Sequence, residues 1–147
     1  MQTAERLEQY ERITGREAED FLARAVKLVQ ENLPEFTEYF PDSNSEENFY
    51  PQTENREWTT GFWTGEIWLA YEYSQDERLK KAGEIQVKSF LDRIDNKIEV
   101  DHHDMGFLYS PSCVAAYKLI GSKEGREAAI KAADQLITRY HPVGEFI

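Results

Sequence analysis

The stretch GFWTGEIWLAYEY, residues 61–73, places apolar side chains on nearly every side of a helix. Such a pattern is typical of a helix that is buried all round rather than along one face. Residues 107–120 have the same character, with Pro111 suited to a first-turn position and Gly121 to a C-cap. The two stretches therefore predict two helices in an inner layer of the fold.

Helices with a single apolar stripe alternate with these two along the chain, because apolar residues recur there every three or four positions. Their predicted bounds are residues 16–32, 76–96 and 122–140. Capping signals mark their starts, namely Thr14-x-x-Glu17, Ser74-x-x-Glu77 and Ser122. Pro34 is expected to end the first helix, and residues 33–60 show too little periodicity to predict an element.

The alternation of the two helix types predicts the architecture. A chain that moves repeatedly between a buried and a surface layer builds helical hairpins, so we predict an all-α fold of the α/α-toroid type. The turns from buried to surface helices are tight, whereas the connections back, residues 33–60 and 97–106, are long. Because antiparallel hairpins place all the long connections on one rim, we expect loop-borne chemistry at that rim.

The composition restricts the classes of function. The chain has 147 residues, of which 28 are acidic and 17 basic, and its formal net charge is −11. This acidic surplus disfavours nucleic acid and anionic membranes as partners. No run of 18 consecutive apolar residues predicts a transmembrane helix.

The single cysteine, Cys113, excludes a disulfide framework within the chain. It lies in an apolar helical stretch without a redox motif, so we expect a buried and unreactive thiol. Residues 1–6 are polar and lack the apolar segment of a secretory leader. These features together predict a soluble, cytoplasmic protein.

Both long connections end in residues suited to binding and chemistry. The first ends in EWTTGFWTG, residues 57–65, and the second in DHHDMGF, residues 101–107. Indole rings stack on the apolar faces of sugar rings, and a carboxyl group with a raised pKa can donate a proton. Tryptophans, histidines and carboxylates on one rim therefore predict a carbohydrate site.

These motifs resemble those of the unsaturated glucuronyl hydrolases, glycoside hydrolase family 88. The resemblance rests on WTTGFWTG at residues 58–65, WLAYE at 68–72 and HDMGF at 103–107, in that order. It extends from about Leu22 to the last residue. It implies an (α/α)6 barrel, in agreement with the alternation of helical layers.

The resemblance also implies a substrate class and residue roles. The family releases a 4,5-unsaturated uronic acid from the non-reducing end of oligosaccharides that lyases produce from glycosaminoglycans. A carboxylic acid protonates C4 of the vinyl ether, water adds at C5, and the hemiketal collapses. By resemblance Asp104 is a catalytic carboxylate, and Asp104, Trp58 and His103 bind the unsaturated sugar. Neither a metal nor another cofactor is expected.

One departure from the family pattern affects the activity expected of this chain. The second essential aspartate of the family, which acts as proton donor, lies on a later helix and has no counterpart in residues 1–147. Five predicted helices also compare with twelve in a complete barrel. We therefore interpret residues 1–147 as the N-terminal portion of one barrel domain, inactive by itself, with an exposed apolar edge through which it self-associates.

Other interpretations remain open. The unsaturated rhamnogalacturonyl hydrolases share the barrel and the chemistry, and a non-catalytic helical-hairpin module would bind protein or glycan, although no 34-residue repeat supports it. A divalent-metal phosphohydrolase of the HD type would need a histidine upstream, and none precedes His102. Asp104 taken alone is also compatible with a helix N-cap, and His102 with a structural loop residue.

Overall fold

The computed structural model describes residues 12–147, so the leader prediction for residues 1–6 lies outside the described part. The elements, in chain order, are α1 (Gly15–Phe36), β1 (Phe40–Pro41), β2 (Gln52–Thr53), α2 (Thr60–Ser74), α3 (Glu77–Asp95), α4 (Met105–Tyr109), a π-helical turn (Ser110–Val114), α5 (Ala115–Ile120) and α6 (Lys123–Ile137). Helix α4, the π-helical turn and α5 follow one another without a break and form a single helical segment, residues 105–120.

The helices pack in two layers. Helix α2 and the 105–120 segment lie side by side. Helix α3 packs on both of them, and α6 packs on α3 and on the 105–120 segment. Helix α1 packs on α2. The core between the layers is built from large buried side chains, among them Trp68, Phe90 and Leu108. The predicted all-α, two-layer arrangement is confirmed.

Helix α1 begins as the sequence predicts but ends later. The Thr14 hydroxyl accepts from the Glu17 amide while the Glu17 carboxylate accepts from the Thr14 amide, which completes the capping box. Pro34 does not end the helix, which continues to Phe36. Phe36 is buried, and its carbonyl accepts from the indole of Trp63, so tertiary contacts hold the final turn past the proline.

A short β-hairpin occupies part of the connection that lacked a predicted element. Phe40 and Pro41 of β1 pair antiparallel with Thr53 and Gln52 of β2. The Phe40 ring is buried and meets the Phe90 ring edge-on, with 5.7 Å between ring centroids. Two residues per strand are too few to produce a readable alternation in the sequence.

The predicted N-cap of the third helix, Ser74, is wrong. Ser74 is the last residue of α2, and its hydroxyl donates to the Ala70 carbonyl. Asp76 is the N-cap of α3 instead, because its carboxylate accepts from the Arg78 amide. The side chain and backbone of Arg78 lower the pKa of the Asp76 carboxyl to about 2.

The 105–120 segment starts two residues before the predicted bound and contains an irregular turn. Pro111 lies in the π-helical turn rather than in the first turn of the segment, contrary to the prediction. A proline has no amide hydrogen, so a wider turn that releases one helical hydrogen bond accommodates it. The predicted C-cap Gly121, with φ at +69°, and the predicted N-cap Ser122 are both confirmed. Helix α6 ends at Ile137, three residues short of the predicted bound.

The inner helices are buried on one side and open on the other. Leu69 on α2 is 66% exposed, and the stripe of α1 is exposed over its first half. The large exposed apolar residues of α1, α2 and the 105–120 segment include Phe21, Leu22, Phe62, Leu69, Tyr73, Phe107 and Tyr117. The arc of helices formed by residues 12–147 therefore presents apolar surface, as the open-arc interpretation requires.

Within residues 12–147, no helix is both long enough and apolar enough to cross a membrane.

The two inner helices come very close to each other at Gly61, and this contact gives a testable prediction. A Cβ atom at this position would lie 2.6 Å from the Leu108 Cα. Both atoms are fixed to the backbone, so neither can move away without a shift of its helix. We expect Gly61→Ala to lower the free energy of unfolding by about 1–3 kcal/mol through overpacking. Urea denaturation measures the change.

Gly106→Ala is the matched control, because Gly106 is also helical and a Cβ there meets no atom within 4 Å. We expect it to leave stability unchanged or to raise it by up to about 1 kcal/mol. Equal effects of the two substitutions would contradict the close approach of the inner helices.

Candidate active site

The two long connections meet at one end of the inner helices, where three aromatic rings cluster. Trp58 lies 6.1 Å from Phe62 and 6.4 Å from Phe107, measured between ring centroids, and Phe62 lies 5.5 Å from Phe107. All three rings are well exposed, Trp58 to 46%. An exposed aromatic cluster of this kind offers apolar faces on which a sugar ring can stack.

Asp104 stands at the start of α4, but its carboxylate does not cap the helix. Its backbone carbonyl accepts from the amides of Phe107 and Leu108, whereas its side chain makes no capping hydrogen bond. The carboxylate is 21% exposed and lies against both histidine rings. Asp104 is therefore the N-cap residue of α4 by position, as the structural alternative expects, but its carboxylate is not used in capping and is available for other chemistry.

The two histidines contact different oxygens of this carboxylate. His103 Nε2 lies 3.3 Å from Oδ1, and His102 Nδ1 lies 3.7 Å from Oδ2. The His103 side chain is 77% exposed, whereas that of His102 is mostly covered. Because the carboxylate sits between the two rings, adjacent residues reach it from two sides without competing for one position.

A shallow groove of about 630 Å³ runs from His103 along the first turns of the 105–120 segment. Phe62, Phe107 and Pro111 supply its apolar wall, and Gly106 and Ser110 line the remainder. The groove thus joins the aromatic cluster to the histidine beside Asp104. Trp58 borders the cluster through its ring contacts with Phe62 and Phe107.

A larger groove of about 900 Å³ lies on the other side of Phe62, between α1, the hairpin and α2. Its wall combines aromatic residues such as Tyr50 with carboxylates, including Glu35 and Glu66. Burial raises the pKa of the Glu66 carboxyl. Phe62 is shared by the two grooves, so the aromatic cluster separates them.

Arg93, which holds the rim together, was not among the predicted site residues. It is 1% exposed, and its guanidinium donates to the carbonyls of Arg56 and Glu57 from the first connection and of Ile98 and Glu99 from the second. The Asn55 side-chain oxygen and the Thr60 hydroxyl complete its partners. Burial lowers the pKa of this guanidinium.

A periodic signal for Arg93 exists in the sequence. The buried face of α3 contains Leu79, Gln86 and Phe90, and Arg93 follows these at intervals of fourteen, seven and three residues. A charged residue in register with an apolar stripe indicates a buried cation.

Cys113 is fully buried in the π-helical turn, as expected. Burial raises the pKa of its thiol to about 12, so the reactive thiolate is scarce at neutral pH. Within residues 12–147, no three His, Cys, Asp or Glu side chains are grouped so as to hold a metal ion.

Comparison with known proteins identifies close relatives of the chain. It is 50% identical over 135 residues to the unsaturated chondroitin disaccharide hydrolase of Streptococcus pneumoniae, and the match covers 92% of this chain and 34% of that protein. A relative of the same name from Streptococcus pyogenes is 47% identical over 97% of the chain. The chain spans about a third of the length of the curated relatives it matches. No protein-family model matches it.

Solved structures of unsaturated glucuronyl hydrolases are similar to this chain over most of its length. The Streptococcus agalactiae enzyme superposes with a TM-score of 0.94 at 46% identity, covering 99% of this chain and 36% of that one. A variant of that enzyme, complexed with dGlcA-GalNAc6S, superposes with a TM-score of 0.89. The resemblance to this family is confirmed, and the chain matches the N-terminal part of its members' (α/α)6 barrel.

The geometry around Arg93 predicts a large stability effect. Arg93→Met removes every guanidinium donor from a set of partly buried acceptors, and each polar group left unsatisfied costs about 1–3 kcal/mol. We expect the free energy of unfolding to fall by at least about 3 kcal/mol, measured by urea denaturation.

Arg56→Met is the matched control, since the Arg56 side chain is exposed and pairs with the exposed Glu54 at 2.9 Å. We expect it to change stability by less than about 0.5 kcal/mol. A loss below about 1 kcal/mol for Arg93→Met would show that the guanidinium does not hold the two connections.

Proposed function

We propose, from the relationship of this chain to the unsaturated glucuronyl hydrolases, that residues 1–147 carry part of the active site of such an enzyme. The proposed substrates are lyase-generated glycosaminoglycan oligosaccharides with a 4,5-unsaturated uronic acid at the non-reducing end. The curated relatives carry the name of a chondroitin disaccharide hydrolase, which supports this substrate class.

The proposed reaction is hydration of a vinyl ether. A carboxylic acid delivers a proton to C4 of the unsaturated ring, and water adds at C5 with loss of its own proton to a carboxylate. The product is a hemiketal, whose collapse opens the ring and frees the hydroxyl of the next sugar. Because bond cleavage follows from this collapse, displacement at the anomeric carbon and its carboxylate-spacing rule do not apply.

The observation that best supports the proposal is the free carboxylate of Asp104 beside an exposed aromatic cluster. The carboxylate makes no capping hydrogen bond, and His103 lies 3.3 Å from one of its oxygens. We assign Asp104 as a catalytic carboxylate that also contacts substrate. Trp58 and His103 are assigned to sugar binding, Trp58 through stacking and His103 through its exposed ring nitrogens.

The proposal treats residues 1–147 as the N-terminal portion of one barrel domain. The match to about a third of each relative supports this view, as does the apolar surface left open on α2. The acidic surplus of the chain also requires that cationic groups for an anionic substrate come mainly from outside these residues. We therefore propose that the chain alone does not turn over substrate.

The activity is tested in a chimera in which this chain replaces the matching third of the Streptococcus agalactiae enzyme. We expect the chimera, but not the chain alone, to consume an unsaturated chondroitin disaccharide, followed by loss of the conjugated C=C absorbance. Asp104→Asn is expected to lower kcat/KM by at least about 100-fold, because an amide keeps the shape of the carboxylate but not the negative charge proposed to act on the substrate.

Asp101→Asn is the matched control, because the Asp101 carboxylate is exposed and pairs with Arg139. We expect it to leave kcat/KM of the chimera unchanged. Full activity of the Asp104→Asn chimera would contradict the catalytic assignment, and turnover by the chain alone would contradict the partial-domain proposal. Preference for a rhamnogalacturonan-derived disaccharide would favour the sister class of hydrolases.

Self-association through the open apolar surface is the proposed behaviour of the isolated chain. Leu69 lies near the centre of the exposed face of α2, and we expect sedimentation velocity to detect oligomers of the wild-type chain. Leu69→Lys is expected to shift the chain toward monomer, whereas Ile130→Lys on α6 is expected to leave the distribution unchanged. A monomeric wild-type chain would contradict the proposal.

A cytoplasmic location is also proposed. It rests on the single cysteine, Cys113, which is a buried free thiol.

A further inference from the structure

The hydrogen bonds of His102 define its protonation state. The Asp104 amide donates to Nδ1 at 3.2 Å, and Nε2 lies 3.0 Å from the Glu99 carbonyl oxygen. An amide can only donate and a carbonyl can only accept. Nδ1 therefore carries the lone pair and Nε2 the hydrogen, so the ring is held as the neutral Nε2–H tautomer.

The Glu99 carbonyl is shared between His102 and Arg93. Arg93 Nη2 donates to the same oxygen at 2.8 Å, and Arg93 Nε donates to the neighbouring Ile98 carbonyl at 3.1 Å. A continuous hydrogen-bonded path thus runs from the buried guanidinium through the Glu99 carbonyl and the His102 ring to the Asp104 backbone.

The same guanidinium also reaches the connection that carries Trp58. Arg93 Nη1 donates to the Glu57 carbonyl at 3.0 Å, and Nη2 donates to the Arg56 carbonyl at 2.8 Å. Glu57 directly precedes Trp58 in the chain. The loop that carries the Trp58 indole and the loop that carries the Asp104 carboxylate are therefore both hydrogen-bonded to one rigid, planar guanidinium.

The backbone between Arg93 and His102 is strained in a way that serves this path. Lys97 and Glu99 have φ values of +52° and +44°, in the left-handed region that costs a non-glycine residue roughly 1–2 kcal/mol. These conformations flank Ile98 and help both loop carbonyls turn toward the guanidinium. Two such residues in one loop persist only where the surroundings hold them.

We propose that His102 is a positioning residue: it couples Asp104 through the Glu99 carbonyl to Arg93, and so sets the catalytic carboxylate relative to Trp58. This role rests on the proposed function, since it concerns the orientation of the proposed catalytic group. His102 itself acts on the Asp104 backbone amide, and His103 remains the imidazole exposed to substrate, with its Nε2 3.3 Å from the Asp104 carboxylate.

The wild-type chain tests the tautomer without any substrate. Long-range proton–nitrogen NMR spectra distinguish a protonated from an unprotonated ring nitrogen, and we expect His102 to show hydrogen on Nε2 alone at neutral pH. Hydrogen on Nδ1 would overturn the proposal, because the Asp104 amide would then have no acceptor on the ring.

Two variants test the coupling through hydrogen exchange of the Asp104 amide. His102→Phe keeps the ring volume and removes both hydrogen bonds, so exchange is expected to accelerate by at least about tenfold. His102→Gln restores one acceptor and one donor at similar spacing, so exchange is expected to remain near the wild-type rate. Equal rates in wild type and His102→Phe would overturn the coupling.

His141→Phe is the matched control, since His141 Nδ1 also accepts a backbone amide, that of Gly144, at 3.2 Å, and His141 has no hydrogen bond to Asp104 or Glu99 in the described residues. It is expected to leave exchange at Asp104 unchanged. An acceleration as large as that of His102→Phe would overturn the proposal.

The kinetic test uses the chimera described above. We expect His102→Phe to lower kcat by about 10- to 100-fold with little change in KM, and His102→Gln to recover most of the loss. Unchanged kcat in His102→Phe would overturn the positioning role. If the chimera shows no turnover at all, the proposed function fails, while the tautomer and exchange measurements still decide whether His102 and Arg93 hold Asp104.

Discussion

The rim of this molecule depends on one buried cation. The Arg93 guanidinium lies in the interior, and every partner it has among residues 12–147 is an uncharged oxygen. Moving such a charge out of water is costly, and its several oriented donors repay the cost only when each finds an acceptor. The carbonyls that surround it belong to both long connections, so satisfying this one side chain forces the two loops together.

The layered packing of the helices brings the rest of the site to the same place. Helix α2 and the 105–120 segment touch at Gly61, where no side chain separates the two backbones. The first turns of the two helices therefore lie side by side, and Phe62 and Phe107 belong to these turns. This pairing also brings together the residues that precede the two helices, the Asp104 carboxylate before α4 and the Trp58 indole before α2.

The family relationship accounts for the surface that this arc leaves open. The chain matches about a third of the length of its relatives, and both inner helices expose large apolar side chains. In a closed ring of helical hairpins, each inner helix has neighbours on both flanks. The exposed residues Leu69 and Tyr73 mark a flank of α2 that residues 12–147 leave uncovered.

Local patterns carried much of the information in the sequence. The helical periodicity predicted five helical segments and their order in two layers, and the capping box at Thr14 and the pair Gly121–Ser122 predicted element ends correctly. These features depend on residues within one or two turns of each other. The WTTGFWTG and HDMGF motifs also identified the family and the rim that holds them.

Only the tertiary structure decided what Ser74, Pro34 and Pro111 do at or within the helices. It also decided which contacts hold the site together. Asp76 displaced Ser74 as the cap, and contacts of Phe36 carried α1 past Pro34. Arg93 meets Asn55 and Glu57 across 38 and 36 residues of chain, and the Asp104 backbone is held by His102, whose ring is hydrogen-bonded to a carbonyl of that cluster. Sequence alone determined the helices because their hydrogen bonds are local; the site required the fold because a buried charge takes its partners from wherever packing brings them.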